Sequence, residues 1–429
     1  MKNIQLKSEY KTGMQTDFRD EFQNIKTAQT TFSSNENNVF IGDNLSVMKN
    51  SEFVRAYENR VSLIYIDPPY NTKNTFSYDD RKKSNEWLDF MESRLIASKK
   101  FLKEGGVIFI SIDDSEYASL KLLCDKVFDG NFIGTFITNQ AKRSNAKLIN
   151  TVHEYVLVFA KDIKKVKPFE ILRKDIPEDA YMIDDIERSV KDEFIRNGAK
   201  AACNVLQEKI IKYCKERNIS WLKNYSQVSD DGRVYFAKDL STPTKPRTVN
   251  IPDINLYLDP LARRGWTSDK RLIELYNAKR LAFKGNRPYH IHYLSESKDS
   301  APSILNFYSR YGTKDLKDLG LDGIFDTPKP VEMIKYFIKL VCDDDAVVMD
   351  YFAGCGSTAQ AVYEINEEQN SQRRFVLIQI EEVVNKNTEV YEKCLSLGIN
   401  PNIASILQKR LQAYLEKQKR SVDFNIMKL

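Results

Sequence analysis

Short apolar runs recur along the chain, separated by polar stretches with the look of helices. Residues 39–43 (VFIGD), 61–67 (VSLIYID), 106–114 (GVIFISIDD), 132–138 (FIGTFIT) and 154–160 (EYVLVFA) are rich in β-branched and aromatic residues. Runs of this kind predict strands covered on both faces, and segments such as 85–102 between them predict helices. The alternation predicts an α/β fold built on a mostly parallel sheet with helices on both sides. The same kind of run returns at 346–354 (AVVMDYFAG) and 374–382 (RFVLIQIEE), which makes seven candidate strands, five early and two late. Between the groups the texture shifts to charged stretches, scattered aromatics and proline-bearing loops such as 241–253, so a separate inserted domain is expected there.

The expected division is a polar N-terminal arm at 1–38, a first half-domain at 39–165, the insert at 166–302, a second half-domain at 303–395 and a C-terminal helix at 396–429. In that last segment Ile406, Leu407, Arg410, Leu411, Tyr414 and Leu415 fall on one helical face, a stripe that suits core packing better than a partner surface. At 429 residues, 42% hydrophobic and 29% charged, the chain can bury a large core in two or three domains. Lys and Arg outnumber Asp and Glu by 65 to 60, a net charge of +5 that does not by itself imply a polyanionic partner; local clusters must carry that case. The six cysteines form no CxxC pair and no apolar leader opens the chain, so a reducing cytoplasm is expected. No run approaches the roughly 18 apolar residues of a spanning helix, and no membrane role is expected.

Two strand ends carry chemistry. At 64–72 (IYIDPPYNT) a strand ends in Asp67, then Pro68 and Pro69 fix the backbone and offer carbonyls without amide hydrogens ahead of Tyr70. Such a rigid set of acceptors beside an aromatic face can grip a flat ring bearing an amine, although taken alone it is equally a well-made surface turn. At 350–361 (DYFAGCGSTAQA) a strand ends in Asp350, Gly354 and Gly356 form a tight loop, and small residues open a helix. Glycines there let a ligand approach the backbone beyond the carboxyl ends of the strands. The spacing of Gly354, Gly356 and Ala359, with Glu381 and Glu382 after the next strand, also fits the loose dinucleotide fingerprint, so a nicotinamide or flavin enzyme is a rival on this loop alone. Hydride transfer has no use for the first motif, whereas methylation of an amine needs both a cofactor loop and an amine-gripping turn.

With both motifs in view, the sequence resembles the S-adenosylmethionine-dependent DNA amino-methyltransferases of the circularly permuted β class. The Asp67-to-Tyr70 motif precedes the insert and the Phe352-to-Gly356 motif follows it, as in that class. Segments 64–72, 106–114, 153–162, 263–270, 325–335 and 373–382 resemble, in order, the modification subunits of type III restriction-modification systems, and the likeness is weakest at about 165–260. The resemblance implies a Rossmann-like, seven-stranded sheet with an inserted target-recognition domain, and methylation of adenine N6 in double-stranded DNA within a restriction-modification or orphan system. Asp at position 67 favours adenine over cytosine N4 in this family; a recognition subunit of a larger nuclease complex is a further alternative. A restriction subunit and a homodimer are implied partners, with cytoplasmic, nucleoid-associated location when bound to DNA.

The chemistry follows from the residues. An exocyclic amine is a poor nucleophile because its lone pair is delocalised; the Asp67 carboxylate and Pro68 carbonyl as acceptors would favour rehybridisation, Tyr70 would stack on the base, and Pro69 completes the turn. In-line positioning supplies much of the rate, and no metal is required. A base inside a duplex must be flipped out to reach such a site. The resemblance places the segment His153-Glu154-Tyr155, with His153 and Tyr155 as the candidates, at the wall of the base pocket. It places Asp350, Phe352, Gly354, Gly356, Thr327, Lys329 and Pro330 around the methionine part of S-adenosyl-L-methionine, with Ser357 and Thr358 capping the helix at the cofactor site and Asp67 adjoining; Gln379, Glu381 and Glu382 are candidates for its ribose and adenine. Asp43, Asp113 and Asp114 also end strands and suit either turn capping or ligand contact. The basic clusters suited to DNA are Lys142, Arg143 and Lys147; Lys245 and Arg247; and Arg263, Arg264, Trp266, Lys270 and Arg271. His290 and His292 share a face if extended, but no third metal ligand stands near them in sequence.

Overall fold

The protein is described by a computed structural model that covers residues 25–26, 32–72, 83–139 and 148–429. It has two compact units, one drawn from Met1–Lys167 and Pro302–Leu429 and the other from Pro168–Ala301.

The first unit is built on a sheet of ten strands: β1 (Ile25–Lys26), β2 (Asn37–Ile41), β3 (Val61–Ile66), β4 (Leu102–Ile112), β5 (Phe132–Asn139), β6 (His153–Ala160), β7 (Ile304–Leu305), β8 (Val347–Asp350), β9 (Arg374–Gln379) and β10 (Phe424–Lys428). Their order is β1-β10-β2-β9-β8-β3-β4-β6-β5-β7. Every neighbouring pair is parallel except the two made by β6, with β4 and with β5. All seven expected strands are present. The side chains of β2, β3 and β8 are buried on both faces, which is why these runs show no polar alternation. One face packs Ile64, Ile66, Ile108, Ile110 and Met349 against Phe53, Trp87, Met91, Leu95 and Leu120. Those partners come from helices α2 (Ser51–Tyr57), α3 (Ser84–Lys99) and α4 (Tyr117–Val127), which with α1 (Asn44–Lys49) cover it. On the other face Phe337 of α5 (Val331–Val341) stacks on Phe109 with ring centroids 4.7 Å apart, and α5 packs beside α6 (Ser357–Gln369).

The C-terminal segment differs from the single helix expected. Helix α7 (Ile403–Lys417) buries the predicted stripe from Ile406 to Leu415, and then the chain turns at Lys419, φ 55°, and returns as β10. Strand β10 buries Phe424, Ile426 and Met427 and lies between β1 and β2, so its backbone groups are paired on both sides. This strand is too short and too close to a charged helix end for its apolar content to stand out.

The second unit holds a long helical stretch, Pro177–Glu216, interrupted at Gly198 (φ 81°, ψ 179°), and a four-stranded antiparallel sheet of Gln227–Val228, Val234–Asp239, Leu281–Lys284 and Arg287–Tyr293. It has two apolar clusters, one around Ile186, Leu206 and Leu222 and one around Val249, Leu258, Trp266 and Leu272. Among the described residues no helix is long and apolar enough to cross a membrane.

Candidate active site

Strands β3 and β8 are neighbours and parallel, with Ile64 opposite Met349, so the two motifs that follow them open at the same edge of the sheet although 283 positions separate Asp67 from Asp350 (350 − 67). Open parallel sheets bind ligands beyond the carboxyl ends of their strands, and a cavity of about 810 Å³ lies there. Both motifs line it.

The first motif is held rigidly. The Pro69 carbonyl accepts the indole N–H of buried Trp87 at 2.7 Å, which anchors the turn to α3. The Tyr70 hydroxyl donates to Asp67 Oδ1 at 2.8 Å and lies 3.3 Å from Glu154 Oε2. Into this group reaches Lys329, whose Nζ is 2.6 Å from the Tyr70 hydroxyl, 2.7 Å from Glu154 and 3.3 Å from Asp67. Burial raises the Asp67 pKa; the Lys329 ammonium opposes that rise and the Glu154 carboxylate adds to it. Burial would lower the Lys329 pKa, but the two carboxylates outweigh it and hold the ammonium charged. One cation thus faces two carboxylates at the head of the cavity.

The second motif is a backbone cradle. Asp350 is buried and accepts the Phe352 N–H at 3.0 Å and the Thr358 hydroxyl at 2.6 Å; burial still pushes its pKa up to about 7. Gly354 and Gly356 take φ of 53° and 85°, the left-handed region that favours glycine, and Gly356 leads into α6. The Gln379 side chain accepts the Gly354 N–H at 2.8 Å and so ties the loop to the end of β9. Beneath the loop Arg410 of α7, fully buried, donates to Ser357 Oγ at 2.8 Å and reaches Cys355 Sγ at 3.0 Å.

Of the residues singled out from sequence, Asp67, Pro68, Pro69, Tyr70, His153, Thr327, Lys329, Asp350, Phe352, Gly354, Ser357, Thr358, Gln379 and Glu382 line this cavity. Gly356, Pro330, Glu381 and Tyr155 do not. Gly356 and Pro330 act as helix caps, and the Glu381 carboxylate pairs with Lys428 at 2.6 Å. The Tyr155 hydroxyl instead joins His153 to Asp114, at 2.8 and 2.9 Å. Lys329, expected among the cofactor contacts, places its amine on the Asp67 turn. Asp43 both caps α1 through the Ser46 N–H and pairs with Arg94 at 2.9 Å, and Asp113 accepts the Ser115 N–H; these two and Asp114 line the cavity as well. Sequence reading named Glu154 only as part of the segment 153–155 that walls the base pocket, and passed over Asn44, Phe90 and Arg94. For Glu154 a signal existed: it is a charged residue at the start of an otherwise apolar strand.

The basic clusters fare unevenly. Lys142, Arg143 and Lys147 lie outside the described residues. In the second unit Lys245, Arg263, Arg264, Lys270 and Arg271 are exposed, and Arg247 is committed to Asp269 at 2.6 Å. Trp266 is a core residue rather than a surface contact: it is 5% exposed and donates its indole N–H to the Asp259 carbonyl at 2.8 Å. The His290 and His292 rings lie 3.9 Å apart, and burial, with the neighbouring His292 and the Arg271, Lys238 and Arg280 cations, brings the His290 pKa down to about 4. Glu332, Glu364 and Glu368 approach one another closely enough for a metal, but the Lys335 ammonium already sits among them.

The sequence profile of the family described as DNA methylase, of N6/N4 type, matches residues 61–389. The chain is 33% identical over 450 aligned positions to the type III restriction-modification enzyme EcoPI Mod subunit of Escherichia phage P1, covering 91% of this chain and 64% of that subunit. It is 28% identical to the type II methyltransferase M.KpnI of Klebsiella pneumoniae, covering 87% of this chain and 86% of that one. Among solved structures it aligns with the cytosine-N4-specific PvuII DNA methyltransferase at 12% identity and a TM-score of 0.40, over 93% of this chain and 96% of the other. With the profile spanning both strand-end motifs and most of the residues that line the cavity between them, the chain belongs to the N6/N4 DNA methylase family.

Proposed function

We propose that this chain is a site-specific DNA methyltransferase that moves a methyl group from S-adenosyl-L-methionine to the N6 amine of an adenine flipped out of duplex DNA, within a restriction-modification or orphan system. The observation that carries this reading is the shared cavity: the amine-gripping turn of β3 and the glycine loop of β8 open side by side into one space. Its volume falls within the range of cofactor sites, about 300–1,000 Å³. The residues fit the cofactor. Two glycines in the left-handed region let a ligand lie against the backbone, and the N-terminus of α6 favours a carboxylate. Asp350 sits at the mouth of the loop, and Glu382 rather than Glu381 is the candidate for the ribose, because only Glu382 lines the cavity.

When bound, S-adenosylmethionine supplies a methyl group on a positively charged sulfur. The protein's part is to present the amine. Asp67 and the Pro68 carbonyl accept its two hydrogens, and this frees the lone pair from the ring. Trp87 keeps the Pro69 carbonyl out of that task. Tyr70 offers its ring as a stacking face and its hydroxyl as a tether for Asp67. The nitrogen gains a bond to carbon and a positive charge, which the ionised Asp67 stabilises until the proton leaves. A restriction subunit is the proposed partner, since the relative from phage P1 is itself a subunit, and the cytoplasm the proposed location.

The test is transfer of labelled methyl groups to mixed-sequence duplex DNA followed by nucleoside mass analysis. Labelled N6-methyladenine that disappears in Asp67→Ala is the expected result. Label in N4-methylcytosine would overturn the choice of base, and no transfer with cofactor bound would overturn the stand-alone reaction.

A further inference from the structure

The head of the cavity holds one cation and two carboxylates, and the family motif accounts for one carboxylate alone. Asp67 and Lys329 by themselves would form a neutral pair: an ammonium seated on the acceptor that has to receive the substrate amine. That pairing would compete with the substrate, because both are N–H donors to the Asp67 carboxylate. Glu154 changes the balance. Its Oε2 holds the Lys329 Nζ at 2.7 Å, against 3.3 Å from Nζ to Asp67, so the ammonium sits closer to Glu154 than to Asp67, with which it still pairs. All three side chains are mostly withdrawn from solvent, with 12% of Lys329, 24% of Glu154 and 26% of Asp67 exposed, so their charges are weakly screened.

We propose that Glu154 is a positioning residue of the transfer step, which by binding Lys329 weakens the hold of the ammonium on Asp67 and gives the cluster one surplus negative charge where the amine becomes positive. This rests on the methyl-transfer reading above. In the step itself the amine nitrogen bonds the methyl carbon as the carbon–sulfur bond breaks, the bonding pair stays on sulfur, and the nitrogen's extra proton leaves afterwards. Charge therefore appears on nitrogen in the transition state, and a site of net charge −1 stabilises it where a neutral site does not. The other titratable groups facing the cluster are Tyr65 and Tyr70 on the β3 side, Asp113 and Asp114 after β4, His153 on β6 and Asp350 at the end of β8. Lys329 is the cation that touches both Asp67 and Glu154.

The inference gives opposite forecasts for one and two substitutions. Glu154→Gln keeps the shape but removes the charge, so Lys329 closes on Asp67 and the single-turnover rate falls by about tenfold or more. Adding Lys329→Met to Glu154→Gln leaves Asp67 alone, again at net −1, and recovers a large part of the lost rate. A residue that serves the fold only would give a double variant worse than either single one. Lys329→Met alone leaves two carboxylates sharing the Tyr70 hydroxyl. That raises the pKa of Asp67, so the acidic limb of its pH–rate profile moves to higher pH. Rates are measured with wild-type protein as the reference, and cofactor affinity and thermal unfolding are followed for each variant. A double variant that is slower than Glu154→Gln, with folding intact, would overturn the inference; a wild type that transfers no methyl group would instead overturn the reading on which it rests.

Discussion

At Asp350 a buried carboxylate is kept by two hydrogen bonds that do not fully offset its burial. Its pKa near 7 in the fold, against an ordinary 3.8, means that the folded state holds a proton which the unfolded chain releases over that interval. The group's contribution to stability is therefore greatest below pH 3.8 and is lost as pH rises to about 7, above which it stays constant. Asp350→Asn does not titrate, so the stability of the variant relative to wild type should climb between these limits and then level off, as read by chemical unfolding at a series of pH values. A difference that does not change with pH would contradict it. The Asp67 turn and the glycine loop were legible as residues because proline and glycine write their backbone geometry into the sequence. The pairing of Glu154 with Lys329 was not, since 175 positions separate them and only strand order brings them together.

Among elements, the apolar runs announced seven strands, and in β2, β3 and β8 burial on both faces leaves no polar alternation to confuse with a helix. What escaped were the two-residue strands β1 and β7, which have no periodicity to read, and β10, which borrows its identity from its neighbours. The α7 stripe proved to be packing: Ile406, Leu407 and Leu411 are fully buried, and Arg410 supports the glycine loop from beneath. Removing α7 would therefore damage the candidate site itself. Removal of 424–429 is the sharper experiment. It strips the strand that covers β2 and leaves a long row of unpaired backbone groups. The shortened chain should unfold several degrees earlier and elute partly as aggregate in size-exclusion chromatography; an unchanged melting temperature would show that β10 contributes little.

For the whole molecule, a net charge of +5 spread over 429 residues is too slight to draw the protein to DNA without local concentration of charge. In the second unit Arg263 and Arg264 are both exposed, and Arg264 donates to the Ser241 carbonyl at 3.1 Å. If both reach phosphates, replacing the pair with alanine should reduce the slope of log affinity against log salt by about 2, since each phosphate contact contributes about 0.9. Trp266→Phe, by contrast, should lower stability and leave that slope alone. Fluorescence anisotropy at several salt concentrations separates the two. An unchanged slope in the double-arginine variant would remove that cluster from the DNA contacts.

The adjacency of β3 and β8 also has a consequence in time. A ribosome completes the Asp67 turn early, yet the strand beside it emerges only after the entire second unit has been made, and the Gln379 that ties the loop emerges later still. Half a sheet waits, with the edge of β3 unpaired, through the synthesis of more than 270 residues between Ile66 and Val347. Contacts that close over so long a stretch make folding slow and nearly all-or-none at the site. A nascent or prematurely ended chain would thus lack the glycine loop beside the Asp67 turn, so that the proposed methyl transfer could begin only with chains whose synthesis had passed β9.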